Sequence, residues 1–102
     1  MKSIIQSKRE CWACREFLNL RTLRGLEEHH VFQGVRRAAS EQYGLKVYLC
    51  YQHHRGASGV HFDPALAASL KKEAQSAFER RYSRAAFIKI FGKNYKDGEE
   101  KC

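Results

Sequence analysis

The chain has 102 residues, of which 43% are hydrophobic and 12% aromatic; this is the length of one domain and excludes an intrinsically disordered chain. Nineteen Lys and Arg against eleven Asp and Glu give a formal net charge of +8, which suits a polyanionic partner such as nucleic acid. No apolar run approaches the ~20 residues of a membrane span, and the polar residues 1–10 do not resemble a secretory signal, so we expect a cytoplasmic protein with no membrane partner.

The first two thirds of the chain predict two short strands. Residues 26–32 favour a strand because they end in β-branched and aromatic residues, and a glycine follows shortly after them. Residues 35–44 are predicted as a basic connection with one helical turn. The alternation over residues 45–49 predicts a second strand, which leads into a short helix over residues 50–55.

Residues 63–92 predict two helices. Asp63 is placed as the N-cap of the first with Pro64 at its first position, while Ser83 caps the second and Gly92 ends it. Apolar residues recur at helical spacing on both, which predicts a scaffold that supports the rest of the domain. The expected stripe comprises Leu66, Leu70, Ala74, Ala77, Phe78 and Arg81, and Phe87, Ile88 and Phe91 supply the apolar face of the second helix.

Three of the four cysteines and one histidine form two matched pairs, Cys11-x-x-Cys14 and Cys50-x-x-His53. Three thiolates and one imidazole complete a tetrahedral zinc site, and each pair suits a tight turn around the metal. Bound zinc would supply folding energy that a small core lacks. The spacing favours His53 over His54 as the fourth ligand, and zinc-bound thiolates argue against a redox role.

The five histidines all lie between residues 29 and 61. Successive strand residues face opposite sides, so one of His29 and His30 can bind a metal while the other stays free as a base. His54 begins a helix directly after a zinc ligand, and His61 follows a glycine-bearing loop and can fold back. Neutral imidazoles leave a bound divalent ion its full charge, and a free imidazole can take a proton from water near neutral pH. The grouping therefore favours a second, metal-dependent site.

Two stretches resemble small phage-type members of the HNH endonuclease family, the ββα-metal or His-Me finger nucleases. They are residues 28–34 (EHHVFQG) and residues 43–54 (YGLKVYLCYQHH), and many members of that family also carry a zinc knuckle. The resemblance implies that His29 and His54 bind a catalytic divalent metal, which could be Mg²⁺, Mn²⁺, Ni²⁺ or Zn²⁺. It also implies that His30 is the general base of phosphodiester hydrolysis.

Two positions depart from the family pattern. The family's middle Asn lies five residues before the Cys of the second zinc pair, where this chain has Leu45. Steadying the loop that carries the base then falls to other groups. Members with a histidine four residues beyond the His54 position gain a third metal ligand there; this chain has Ser58, and we predict that His61 replaces it.

We therefore predict an α+β fold with a zinc-stabilised, HNH-like ββα-metal core. The core covers about residues 11–61 and is followed by helical support over about residues 63–92, which together form a single nuclease domain over residues 1–95. Residues 96–102 are predicted to be a charged, flexible tail that carries Cys102 as an exposed thiol.

The function that the resemblance implies is a DNA endonuclease or nickase. Arg36, Arg37 and Arg55 flank the histidines and are predicted to clamp phosphates through their forked donors. One such centre cuts one strand, so a double-strand break needs a homodimer or two encounters, and a small reading surface predicts low specificity or a targeting partner such as a phage protein. The alternative, favoured by the missing Asn, is a non-catalytic zinc module that binds nucleic acid or a protein partner.

Overall fold

The computed structural model describes residues 2–96, and these combine helices with a small two-stranded sheet, which confirms the α+β class. In chain order the elements are α1 (Trp12–Leu18), β1 (Glu27–His30), a 3-10 turn (Gly34–Arg36), α2 (Arg37–Tyr43), β2 (Lys46–Leu49), α3 (Tyr51–His54), α4 (Pro64–Glu79) and α5 (Arg84–Phe91). Residues 97–102 of the predicted tail, including Cys102, lie outside the described part of the chain. Within residues 2–96 no helix has the length and apolar character needed to cross a membrane.

The sheet is one antiparallel pair in which His29 lies opposite Val47 and His30 lies opposite Lys46. Residues opposite each other share a face, so the two histidines lie on different faces of the sheet. The His29 face carries buried Val47 and Leu49 and therefore belongs to the core. The two faces of β1 thus offer two separate environments to the two histidines.

β1 is shorter than the predicted strand over residues 26–32. It ends at His30, and the backbone N–H of Val31 still donates to the carbonyl of Leu45 at 3.0 Å. Phe32 leaves the strand because its ring packs into the aromatic core, 4.7 Å from the ring centroid of Phe91. Tertiary packing therefore ends the strand earlier than the β propensity of these residues indicates.

The segment predicted as a connection over residues 35–44 is largely helical. It contains the 3-10 turn and then α2, a longer helix than the single predicted turn. Gly44 ends α2 with a φ of 71°, and a side chain there would collide with the backbone of Lys2. The sequence reasoning underestimated this helix because its anchor, the fully buried Ser40, is polar and breaks the apolar pattern.

The helix α1 was not predicted from the sequence. It begins at the first metal-type pair, where the Cys11 thiol caps the helix and accepts a hydrogen bond from the backbone N–H of Cys14 at 3.4 Å. Asn19 ends it in the left-handed region with a φ of 53°. The C-x-x-C spacing is therefore one turn of a capped helix, which turns both thiols to the same side.

The two C-terminal helices follow the prediction closely. Asp63 accepts hydrogen bonds from the first turn of α4, and Ser83 accepts one from Ala86 at the start of α5. The predicted stripes are buried with two exceptions: Arg81 is exposed because it follows the end of α4, and Ile88 is 39% exposed because it faces away from the core. The two helices thus close an aromatic core beneath the sheet and the 3-10 turn, comprising Phe32, Phe78, Phe87 and Phe91.

Candidate metal centres

Four side chains converge where α1 meets the start of α3: Cys11, Cys14, Cys50 and His53, named here the thiol cluster. The Nδ1 atom of His53 lies 3.7, 3.4 and 3.3 Å from the Sγ atoms of Cys11, Cys14 and Cys50. The Sγ atoms of Cys14 and Cys50 are 3.7 Å apart, too far for a disulfide bond. These residues could hold a metal ion such as zinc, as the sequence predicts.

The spacing of the thiol cluster matches the geometry of zinc. Zn–S bonds of about 2.3 Å and Zn–N bonds of about 2.0–2.1 Å give a tetrahedron with edges of about 3.8 Å between sulfurs and about 3.6 Å between sulfur and nitrogen. Burial raises the pKa of the Cys11 thiol to about 12, so a buried thiolate there requires a compensating cation. The donor set, its distances and its burial all fit zinc.

Three histidines converge on the other side of α3: His29 from β1, His54 from α3 and His61 from the loop that follows, named here the histidine cluster. One nitrogen from each lies within 4.8 Å of the others, and the three ring centroids are 5.2–5.9 Å apart. The structure therefore brings together the three predicted ligands of the second metal. It also separates His53 from His54, since each joins a different cluster.

Burial differs among the three histidines. His29 is buried, His54 is partly exposed and His61 is exposed, so the histidine cluster is open to solvent on one side. Burial, together with the nearby His54 and His61, lowers the pKa of His29 to about 4. His29 is therefore a neutral imidazole at neutral pH, which is the form that binds metals.

Carboxylate and amide groups orient two of these rings. Glu27 accepts a hydrogen bond from Nδ1 of His54 at 2.7 Å, and this contact, with Arg55 nearby, lowers the pKa of the Glu27 carboxyl. Nε2 of His54 is then the nitrogen left for a metal. The amide of Gln33 lies 3.3 Å from Nδ1 of His29. Glu27 and Gln33 were not predicted as site residues.

His30, the predicted general base, belongs to a different group from the histidine cluster. Its Nε2 lies 2.7 Å from a carboxylate oxygen of Glu41, and Lys46 donates to both oxygens of that carboxylate at 3.0 and 3.1 Å. Nδ1 of His30 has no hydrogen-bond partner within residues 2–96 and is not completely buried, although His30 as a whole is only 7% exposed.

The segment after β1 is held by Ser40, a residue that the sequence did not single out. Its hydroxyl accepts from the backbone N–H of Phe32 at 3.0 Å and donates to the carbonyl of the same residue at 2.9 Å. Leu45, which stands where the resembling family has Asn, is fully buried and apolar. The backbone that follows β1 is therefore held by a serine on α2.

The three predicted phosphate-binding arginines occupy different environments. Arg36 is partly buried and lines a cavity next to His29, and no carboxylate within residues 2–96 pairs with it. Arg37 is exposed at the start of α2. Arg55 is exposed and pairs with Glu27 at 3.1 Å, so its charge is partly balanced. Arg36 and Arg55 therefore both lie beside the histidine cluster, and of these two only Arg36 has no carboxylate partner within residues 2–96.

Comparison with known proteins identified no relative of this chain: no family model, no curated protein and no solved structure matches it. The resemblance to HNH nucleases therefore depends on the residues themselves and on their arrangement.

Proposed function

We propose that this protein is a metal-dependent DNA endonuclease or nickase with the ββα-metal arrangement of the HNH family. The observation that carries the proposal is the histidine cluster, which collects one imidazole from β1, one from α3 and one from the following loop beside a separate thiol cluster. The order β1, β2, α3 is the order in which that family presents its metal site. The net charge of +8 supports a polyanionic substrate.

The donor atoms of the histidine cluster suit a divalent ion and favour some metals over others. All three donors are imidazoles, which suit nickel and zinc better than magnesium, a metal that prefers oxygen ligands. A divalent ion bound there would supply charge for the scissile phosphate and the leaving oxygen. Glu27 would hold His54 in the tautomer that presents Nε2, and Gln33 would steady the ring of His29.

The proton in this proposal goes to His30. Its Nε2–H donates to Glu41, so Nδ1 keeps a lone pair and can take a proton from an attacking water. Glu41 also stabilises the imidazolium that results, while Lys46 keeps the carboxylate in position. His30 acts as the general base and Glu41 as a positioning residue.

The test is cleavage of supercoiled plasmid by zinc-loaded protein supplied with Ni²⁺, Zn²⁺, Mn²⁺ or Mg²⁺. We expect nicking that is fastest with Ni²⁺ or Zn²⁺. His30→Ala should slow nicking by about 10²–10⁴-fold, the usual contribution of a general base, with the fold and DNA affinity retained. Glu41→Gln should lower the rate with unchanged metal affinity, whereas Glu28→Gln, which changes a carboxylate bonded to Lys46 but not to His30, should have little effect.

A second candidate is a non-catalytic zinc module that binds nucleic acid. It is favoured by the position of His30, which pairs with Glu41 on the face of the sheet opposite His29. Plasmid that is bound by the protein but stays supercoiled with all four metals would establish this candidate and reject the nuclease. Binding should in either case weaken steeply with salt, because phosphate contacts release counterions.

A further inference from the structure

A partly enclosed cavity of about 320 Å³ lies directly beside the histidine cluster, between the end of β1 and α4. His29 and His61 form one wall, and Val60 and Leu70 contribute apolar surface. Small-molecule sites occupy roughly 300–1,000 Å³, so this cavity takes a small ligand rather than a length of polymer.

The charged side chains of this cavity are all basic. Arg36 and Lys71 line it, no Asp or Glu does, and neither cation pairs with a carboxylate within residues 2–96. This contrasts with Arg55 on the other side of the histidine cluster, where Glu27 balances the charge. Two unbalanced cations beside a candidate metal centre favour an anion that bridges them, and a phosphate group fits that requirement.

The inner surface of the cavity suits a flat, amphipathic group. Tyr95 is held against Phe32 with ring centroids 5.1 Å apart, and the Nζ atoms of Lys71 and Lys93 lie 5.5 and 5.0 Å from its ring. Apolar and aromatic walls pack against the faces of a nucleobase. The amide nitrogen of Gln33 is already used by the His30 carbonyl and by Nδ1 of His29, so Gln33 offers its Oε1 as an acceptor to the edge of the base. The cavity therefore combines surfaces for a base with cations for its phosphate.

We propose that this cavity binds one unpaired nucleotide of the substrate, with the base against Val60, Leu70 and Tyr95 and its phosphate between Arg36, Lys71 and the histidine cluster. A base stacked and paired in a duplex cannot enter such a cavity unless it first leaves the stack. The preferred substrate class is therefore single-stranded or locally opened nucleic acid. The inference rests on the proposed function for the nature of the substrate, but its binding test does not require cleavage.

The first test measures binding of deoxyadenosine monophosphate, deoxyribose 5-phosphate and inorganic phosphate to the zinc-loaded protein by NMR. We expect the mononucleotide to bind about tenfold more tightly than either base-free probe and to shift the methyl resonances of Val60 and Leu70. Equal affinity for inorganic phosphate would reduce the cavity to an anion site and overturn the inference. Shifts confined to residues outside the cavity would overturn it as well.

The second test fills the cavity and uses its neighbour on α4 as the control. Ala67 lines the cavity and Ala68 is exposed beside it, so Ala67→Leu should weaken binding of the mononucleotide and of a single-stranded oligonucleotide about tenfold, while Ala68→Leu should not. A second pair of variants, Lys71→Ala and Lys72→Ala, repeats the comparison without adding volume. Both variants lose one positive charge, but only Lys71 lines the cavity. No difference within either pair of folded variants would reject the cavity as the binding site.

The outcomes separate this inference from the proposed function. If the protein binds the mononucleotide in the cavity but nicks no plasmid, the nucleotide site stands and the nuclease proposal is rejected. If the Ala67→Leu and Ala68→Leu variants nick plasmid at the same rate and the protein prefers duplex to single strands, the nuclease proposal stands and the nucleotide site is rejected.

Discussion

The thiol cluster and the histidine cluster share helix α3 but differ in donors, burial and surroundings. The described part of the chain has a third group of possible metal ligands, Glu28, His30 and Glu41. The thiol cluster has four donors, three of them buried thiols, at tetrahedral spacing. The histidine cluster has three imidazoles, one of which is exposed, and it borders a basic cavity. Adjacent residues, His53 and His54, serve the two clusters, so one short helix sets the position of both.

The two donor sets correspond to two kinds of metal site. Structural zinc sites are closed by four protein ligands, whereas catalytic sites have three and keep a position open for water or substrate. The thiol cluster satisfies the first description and ties α1 to β2 and α3. The histidine cluster satisfies the second, in keeping with the proposed function.

Removing a ligand of the thiol cluster should have the largest effect. Cys50→Ser breaks the closed donor set, and because zinc binding contributes roughly 10–16 kcal/mol in small zinc-binding peptides, we expect loss of zinc and of the folded state. Thermal unfolding followed by circular dichroism should show no cooperative transition, and elemental analysis should find no tightly held zinc. His54→Ala, which removes a ligand of the other cluster, should keep both. A folded, zinc-free Cys50→Ser protein would contradict a structural role for this cluster.

Graded metal removal should separate the two clusters in one sample. A mild chelator is expected to strip the histidine cluster first, because it offers three donors and solvent access, while the thiol cluster keeps its zinc. Elemental analysis should then find one retained ion per chain, with nicking abolished, the fold intact and activity restored by added Ni²⁺. Simultaneous loss of both metals and of the fold would mean that the two clusters are not distinct in function.

The candidate metal ligands could be predicted from the sequence because their spacing is a local property. C-x-x-C on a helix start and C-x-x-H across the start of another bring donors together within one turn each, and the same local spacing separates His53 from His54. The caps of α4 and α5 were readable for the same reason. Ligand pairs and helix caps formed by residues close in sequence can be predicted with little knowledge of the tertiary structure.

The side chains that support the histidines could not be predicted from the sequence, since their contacts depend on how distant segments approach each other. Glu41 reaches His30 only because α2 packs beside β1, and the Ser40 hydroxyl reaches the backbone of Phe32 for the same reason. Both residues lie in a segment whose apolar pattern is too weak to predict the full helix. Polar anchors of this kind leave no periodic signal in a single sequence.

Substitution of Glu27 should have a smaller effect than removal of a ligand, and one confined to the histidine cluster. Glu27→Gln weakens the acceptor that orients His54, and loss of such a partner typically lowers metal affinity about 10–100-fold. Glu28→Gln is the matched control, because Glu28 is the next residue but pairs with Lys46 on the opposite face of β1. Calorimetric titration of Ni²⁺ into the zinc-loaded variants measures the difference. Equal affinity in the two variants would remove Glu27 from the metal site.

Ser40→Ala should give the smallest effect and acts on the segment that follows His30. It removes the hydroxyl that satisfies both the N–H and the carbonyl of buried Phe32, so we expect a loss of about 1–3 kcal/mol in the free energy of unfolding. Ser69→Ala, on the partly exposed side of α4, is the control and should change stability by less than about 0.5 kcal/mol. Urea unfolding measures both. Because the thiol cluster does not contact Ser40, zinc content should be unchanged, whereas nicking should slow if the segment after β1 must be rigid for His30 to act.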